Sequence, residues 1–202
     1  MPIIEHSQTV LLLWAVIGYL IGSVPFGILI TKAMGLGNLR DIGSGNIGAT
    51  NVLRTGSKPA AAATLLLDGG KGALAVLLAR AMVGEDAAQV AGLLAFLGHC
   101  FPVWLKFKGG KGVATFLGLM LALAWPVGIA CCATWLAGAY LSRISSVGAL
   151  VAALSSPIWM VILGYPQAMA LAIVLTLIVF VRHAANIRRI LSGKEPRIGA
   201  GK

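Results

Sequence analysis

Acidic side chains are scarce: six Asp and Glu stand against sixteen Lys and Arg in 202 residues. Charged residues make up 11% of the chain, where roughly 25% is usual, and this excludes an ordinary soluble globular domain. So few carboxylates supply no aspartate-rich metal motif, and no Cys/His set has metal-ligand spacing, so neither a metal nor a cofactor is expected. The three cysteines, Cys100, Cys131 and Cys132, lie in apolar stretches without the even, spaced pattern of a disulfide framework, and read as small membrane-helix residues. A Gly-x-Ser-x-Gly elbow is missing, which argues against a serine esterase of that type. A signal peptide is not expected either, because Glu5 and His6 precede the first apolar run where a basic region belongs.

Apolar residues are abundant: 58% of the chain is hydrophobic and its mean hydropathy is +0.92. A bilayer span takes about 20 apolar residues, and seven candidate runs stand out, at 10–31, 60–82, 87–105, 112–124, 127–141, 147–163 and 167–181. The fourth and fifth are short, so a thin, tilted or partly re-entrant element is an open reading for either. Lys106, Lys108 and Lys111 precede this pair and Arg143 follows it, so an even number of crossings separates them if basic residues mark one side. The loop at 35–59 carries Arg40, Arg54 and Lys58, whereas the next carries Glu85 and Asp86. Basic loops thus alternate with weakly charged ones, which predicts an all-α polytopic membrane protein of seven transmembrane helices, N-terminus outside and C-terminus cytoplasmic. The formal charge of +10 is explained by this topology, and no nucleic-acid partner is expected. Residues 1–202 read as a single membrane domain.

Four segments carry chemistry. GSGNIGATNVLR at 43–54 brings together Gly43, Gly45 and Gly48 with Ser44, Asn46, Thr50, Asn51 and Arg54, all hydrogen donors, in a loop whose backbone can approach an anion. It contains a literal GxGxxG, but a membrane helix precedes it rather than a strand, so a dinucleotide site is not indicated. FKGGKGVAT at 107–115 places Gly109, Gly110 and Gly112 at the start of the fourth run between Lys108 and Lys111; a glycine-rich helix N-terminus is an anion site by geometry. Asp68 and Lys71 share a helix face inside the second run, either as a site or as a buried pair holding helices together. RHAANIRR at 182–189 sets His183 and Asn186 on one helix face at the cytoplasmic end, and Ser146 beside Arg143 is a weaker candidate. The chemistry these segments suit is the binding of one or two phosphate groups next to lipid. An anion transporter also accounts for the spans and basic sites, though it calls for polar groups along a path through several helices.

The motifs at 43–54 and 182–189, Asp68-x-x-Lys71-Gly72, GHCFPVWLKFKGGKGVAT at 98–115, and Gly193 with Glu195 resemble the bacterial acyl-phosphate-dependent glycerol-3-phosphate acyltransferases, the PlsY family, over nearly the whole chain. The resemblance implies a seven-helix enzyme of the bacterial inner membrane with its active site facing the cytoplasm. It implies transfer of a fatty acyl group from acyl phosphate to the 1-hydroxyl of sn-glycerol 3-phosphate, giving lysophosphatidic acid and phosphate, the first acylation of phospholipid synthesis. Ser44 and Arg54 match the family's first-loop functional positions, Lys111 its glycine-rich motif, His183 and Asn186 its C-terminal pair, and Ser146 a further serine. On this basis Ser44, the backbone at 43–48 and the turn at 109–112 are expected to cradle the acyl phosphate, with Lys111 neutralising it, while Arg54, His183 and Asn186 hold glycerol phosphate. The proton acceptor is expected to be a substrate phosphate, with His183 an orienting donor.

Overall fold

The computed structural model describes residues 3–199, and every regular element among them is helical. The chain divides between residues 123 and 124 into two compact units.

In the first unit, α1 (Gln8–Gly22) starts where the Ser7 hydroxyl accepts the Val10 N–H at 3.4 Å. It stops ahead of Pro25, which lacks an N–H and disfavours helix at the residue before it, and α2 (Phe26–Ala33) resumes the climb. A short α3 (Ala49–Val52) and a 3-10 turn (Leu53–Thr55) lead to α4 (Lys58–Met82), capped by the Ser57 hydroxyl with Pro59 in the first turn. Then come α5 (Glu85–Cys100), its first turn acidic as the helix dipole favours, and α6 (Val113–Leu123). Lipid tails offer no hydrophobic drive between helices, so close approach of backbones must hold them. Small residues allow it: a Cβ on Gly22 would sit 1.9 Å from the Ala95 carbonyl oxygen, and one on Gly118 would sit 2.1 Å from that of Gly69. Leu12, Leu65, Leu66 and Leu77 turn outward.

This unit has two distinct ends. At one, the Asp86 carboxylate accepts the backbone N–H groups of Glu5 and His6, both at 3.0 Å. Arg80 there bonds Glu85 at 2.8 Å and donates to the Ala122 and Leu123 carbonyls at 2.5 and 3.1 Å. The start of α1, the α4–α5 turn and the end of α6 therefore meet at the same end. The glycine-rich loops lie at the other.

In the second unit, α7 (Trp125–Ser142) and α8 (Ser145–Ile162) are joined by Arg143 in the left-handed conformation, and a 3-10 turn (Pro166–Ala168) precedes α9 (Met169–Arg182) and α10 (Ala184–Leu191). Pro157 inside α8 leaves the Ala153 carbonyl without its helical donor. The hydroxyls of Thr176, from α9, and Ser156 donate to it at 2.7 and 2.8 Å, so a helix defect becomes an interhelical tie. The bend between α9 and α10 is 63° and falls at His183.

All seven apolar runs are helical in large part. By length and hydropathy four stretches suffice to cross a bilayer, Gln8–Ala33, Lys58–Met82, Glu85–Leu105 and Ser145–Ile162, or five if the bent pair Pro166–Arg182 with Ala184–Leu191 counts as one. The run at 112–124 gives only the 11 residues of α6, about 17 Å at 1.5 Å per residue against a core of about 30 Å.

Gly22→Leu is expected to destabilise the detergent-solubilised protein by roughly 1–3 kcal/mol through overpacking. Gly70 has open space where its Cβ would be, so Gly70→Ala is expected to be neutral or stabilising by about 0.5–1 kcal/mol. Thermal unfolding of the two variants side by side checks the helix contacts.

Candidate active site

The loop at 43–54 is organised around one side chain. Asn51 is buried, and its amide donates to the carbonyls of Leu39, Ile42 and Asn46 at 3.1, 2.9 and 2.8 Å. Its Oδ1 accepts from the Ser44 N–H and hydroxyl at 3.1 and 3.3 Å and from Arg54 Nη1 at 3.1 Å. Asn51 therefore sets the positions of Ser44 and Arg54, both of which are exposed. Gly43 is required here, because its φ is +54° and a Cβ would lie 2.5 Å from Arg54 Cδ. Asn46 Oδ1 accepts the Ile47 N–H at 2.9 Å, Gly48 precedes α3, and Thr50 stands exposed in its first turn.

The turn at 109–112 is built onto the end of α5. The N–H groups of Gly109 and Gly110 donate to the carbonyls of Cys100 and His99, each at 3.1 Å, supplying two of the partners that a helix C-terminus lacks. A Cβ on Gly109 would lie 2.2 Å from the His99 oxygen, and one on Gly110 would lie 2.1 Å from His99 Nε2. Gly112, at φ +83°, then lets the chain enter α6. Lys108 is exposed and Lys111 half-buried. Arg40 ties the two loops together, donating from Nη1 to the Gly45 carbonyl at 3.1 Å and from Nη2 to the Lys108 carbonyl.

In the second unit a glutamate gathers the other candidates. Glu195 Oε1 accepts from the Ser146 hydroxyl at 2.7 Å and from the Asn186 amide, and Oε2 accepts from Arg189 Nε at 2.6 Å. Burial raises the Glu195 pKa, but the hydrogen bonds from Asn186, Ser146 and Arg189 outweigh it and hold the carboxyl below its ordinary range. His183 is buried at the α9–α10 bend, with Nδ1 2.8 Å from the Val179 carbonyl. A carbonyl only accepts, so Nδ1 is the donor of this bond.

Within residues 3–123, then, Ser44, Asn51 and Arg54 form one cluster joined to the 109–112 turn; within residues 124–199, Ser146 and Asn186 meet on Glu195. Arg40, His99 and Glu195 were not singled out as site residues from sequence. Glu195 alone left a usable signal, an acid at the end of a basic tail in a chain with few acids. Among the described residues no group of three or more His, Cys, Asp or Glu side chains is placed to hold a metal ion.

Residues 12–193 match the profile of the glycerol-3-phosphate acyltransferase family. The chain belongs to that family. The glycerol-3-phosphate acyltransferase of one Cereibacter sphaeroides strain is 67% identical over 199 residues, 98% of this chain and 95% of that protein. Two crystal structures of PlsY, an integral membrane glycerol 3-phosphate acyltransferase, are similar throughout. The glycerol 3-phosphate form superposes with a TM-score of 0.88 at 38% identity, covering 94% of this chain and 96% of that one. The lysophosphatidic acid form gives 0.85 at 36% identity, covering 94% and 95%. The fold of this acyltransferase family member is thus the all-helical integral-membrane fold of PlsY.

The depressed Glu195 pKa means that its hold on the tail is complete above the ordinary carboxylate value of 4.5 and is lost as pH falls through the lowered one. A nitroxide introduced at Lys194 is expected to stay immobile from about pH 8 down to 4.5 and to become mobile only at more acid pH. Glu195→Gln should free the label at neutral pH.

Proposed function

We propose that this chain transfers a fatty acyl group from acyl phosphate to the 1-hydroxyl of sn-glycerol 3-phosphate, releasing lysophosphatidic acid and inorganic phosphate. The observation that carries this reading is the pairing, by Arg40, of two glycine-rich loops at one end of the first unit. Exposed Ser44, Arg54 and Lys108 and half-buried Lys111 are held there on rigid backbone. Such a surface suits a phosphate beside lipid, and the glycerol 3-phosphate and lysophosphatidic acid forms of the related PlsY supply substrate and product of the same chemistry.

Acyl phosphate has a good leaving group, so positioning and charge stabilisation suffice for much of the rate. The 1-hydroxyl oxygen forms a bond to the acyl carbon while the bond from that carbon to the phosphate oxygen breaks, and the phosphate leaves with the electron pair. Ser44, the Gly43, Gly45 and Gly48 backbone, the Gly109, Gly110 and Gly112 turn, Lys108 and Lys111 hold the donor phosphate, with Lys111 balancing its growing charge. Arg54, Thr50, His183, Asn186 and Ser146 serve glycerol phosphate. Asn51 and Asn46 act by shaping the first loop. His183, its ring held by the Nδ1 bond to the Val179 carbonyl, orients glycerol phosphate, and a substrate phosphate takes the hydroxyl proton.

The same reading places the protein in the bacterial inner membrane with seven crossings, the N-terminus outside and the two loops facing the cytoplasm. In its support, Arg80 at the opposite end is neutralised by Glu85, whereas Arg40, Arg54, Lys108 and Lys111 gather at the loop end.

Purified protein given sn-glycerol 3-phosphate with palmitoyl phosphate, palmitoyl-CoA or palmitoyl carrier protein in separate reactions is expected to form lysophosphatidate from palmitoyl phosphate alone. Lys111→Ala should abolish it, and His183→Gln should lower turnover by about 10²-fold or more. Product from another donor only, or none from folded protein, contradicts the proposal; near-normal turnover of His183→Gln contradicts the role given to His183.

A further inference from the structure

A set of ionisable residues buried between α4 and α5 is not used by the mechanism above. Asp68 and Lys71 on α4 and His99 on α5 are 2%, 4% and 4% exposed, in helices long and apolar enough to span a bilayer. Ionisable groups at such depth are costly, and they are kept when they pair or when a site needs them. Replacing a buried ion pair by apolar residues of similar volume is often neutral for stability, so helix anchoring alone is a weak reason for its presence.

We propose that Asp68, Lys71 and His99 form a buried positioning network that sets the glycine turn at 109–112 and links it to the loop at 43–54; the proposal rests on the assignment of those loops to the donor phosphate. Each link is visible. Lys71 Nζ donates to Asp68 Oδ1 and to the Val24 carbonyl, both at 2.7 Å, and lies 5.6 Å from the Phe26 ring centre. Val24 and Phe26 bracket the Pro25 break, so Lys71 fixes where α2 begins. One residue on, Gly27 faces the Ile47 carbonyl of the first loop, where a Cβ would leave 1.9 Å. In the other direction, Asp68 Oδ1 lies 3.7 Å from His99 Nδ1, beyond a hydrogen bond, with both side chains buried. The Asp68 carbonyl accepts the Thr115 hydroxyl at 2.9 Å, fixing the first turn of α6. His99 is the seat of the turn: its carbonyl accepts the Gly110 N–H at 3.1 Å, and its ring occupies the space where a Gly110 side chain would go. A single buried polar cluster thus supports both sides of the loop pair without reaching the surface.

The test uses the full-length protein in lipid and two kinds of variant. Asp68→Asn and His99→Gln keep shape but change charge or donor pattern. The Asp68→Leu/Lys71→Met double variant replaces the pair with apolar side chains and removes the folding penalty of an orphaned charge. Amide hydrogen exchange without substrate is expected to speed up at Gly109 and Gly110 by about tenfold or more in every folded variant, with α1 and the far end of α5 unchanged. The KM for palmitoyl phosphate is expected to rise about tenfold while kcat changes less than about threefold. A folded double variant with wild-type exchange at the turn and wild-type KM overturns the proposal, because a pure anchoring role tolerates that swap. Loss of protection spread evenly over α4 and α5, with KM unchanged, overturns it too. Exchange needs no substrate, so a wild-type protein inactive with palmitoyl phosphate would refute the donor assignment while the network is still judged on the turn.

Discussion

A glycine-rich loop at a membrane face has few side chains to hold it, yet its backbone polar groups need partners when they leave water. Everything in the candidate site follows from how this requirement is met. The first loop folds around the Asn51 side chain, whose amide and carbonyl satisfy six groups drawn from Leu39, Ile42, Ser44, Asn46 and Arg54. The second folds onto the end of α5, where the amides of Gly109 and Gly110 take carbonyls that the helix itself leaves open. Both solutions fix backbone, the first also tethers the Ser44 and Arg54 side chains to Asn51, and Ser44, Arg54 and Lys108 are left exposed on that base.

The same economy governs the helices. Because small residues let backbones meet, α4 packs on α6 through Gly69 and Gly118, with the Asp68 carbonyl and the Thr115 hydroxyl adding a hydrogen bond. Two proline breaks are turned into connections: the carbonyl before Pro25 takes Lys71, and the carbonyl released by Pro157 takes Thr176. In hydrocarbon an open backbone group is a liability, and each is closed by a side chain from a neighbouring helix.

Much of this was legible in the sequence. The apolar runs gave helices, and alternation of basic loops agrees with the two ends of the first unit, where Arg80 meets Glu85 and the loops gather Arg40 and Lys108. Glycine spacing at 43–48 and 109–112 located both loops. What stayed hidden has a common cause: partnership across long sequence separation leaves no local pattern. His99 sits ten residues before the turn it supports and thirty-one after Asp68, inside an apolar helix where it reads as an ordinary core histidine. Glu195 holds Ser146 across 49 positions. Asn51 reads as one more hydrogen donor for a ligand, and only its burial shows that the loop itself uses all of it. The short α6 also defeats a simple span count, since length alone does not reveal how a thin element is supported.

The claim at the centre is that the 43–48 backbone and the 109–112 turn together receive the donor phosphate. The most direct measurement is the structure of this protein with a non-hydrolysable acyl phosphonate bound. The account requires the phosphonate between the two loops, within hydrogen-bond reach of Ser44 and Lys111. A phosphonate bound elsewhere, with both loops empty, would contradict it.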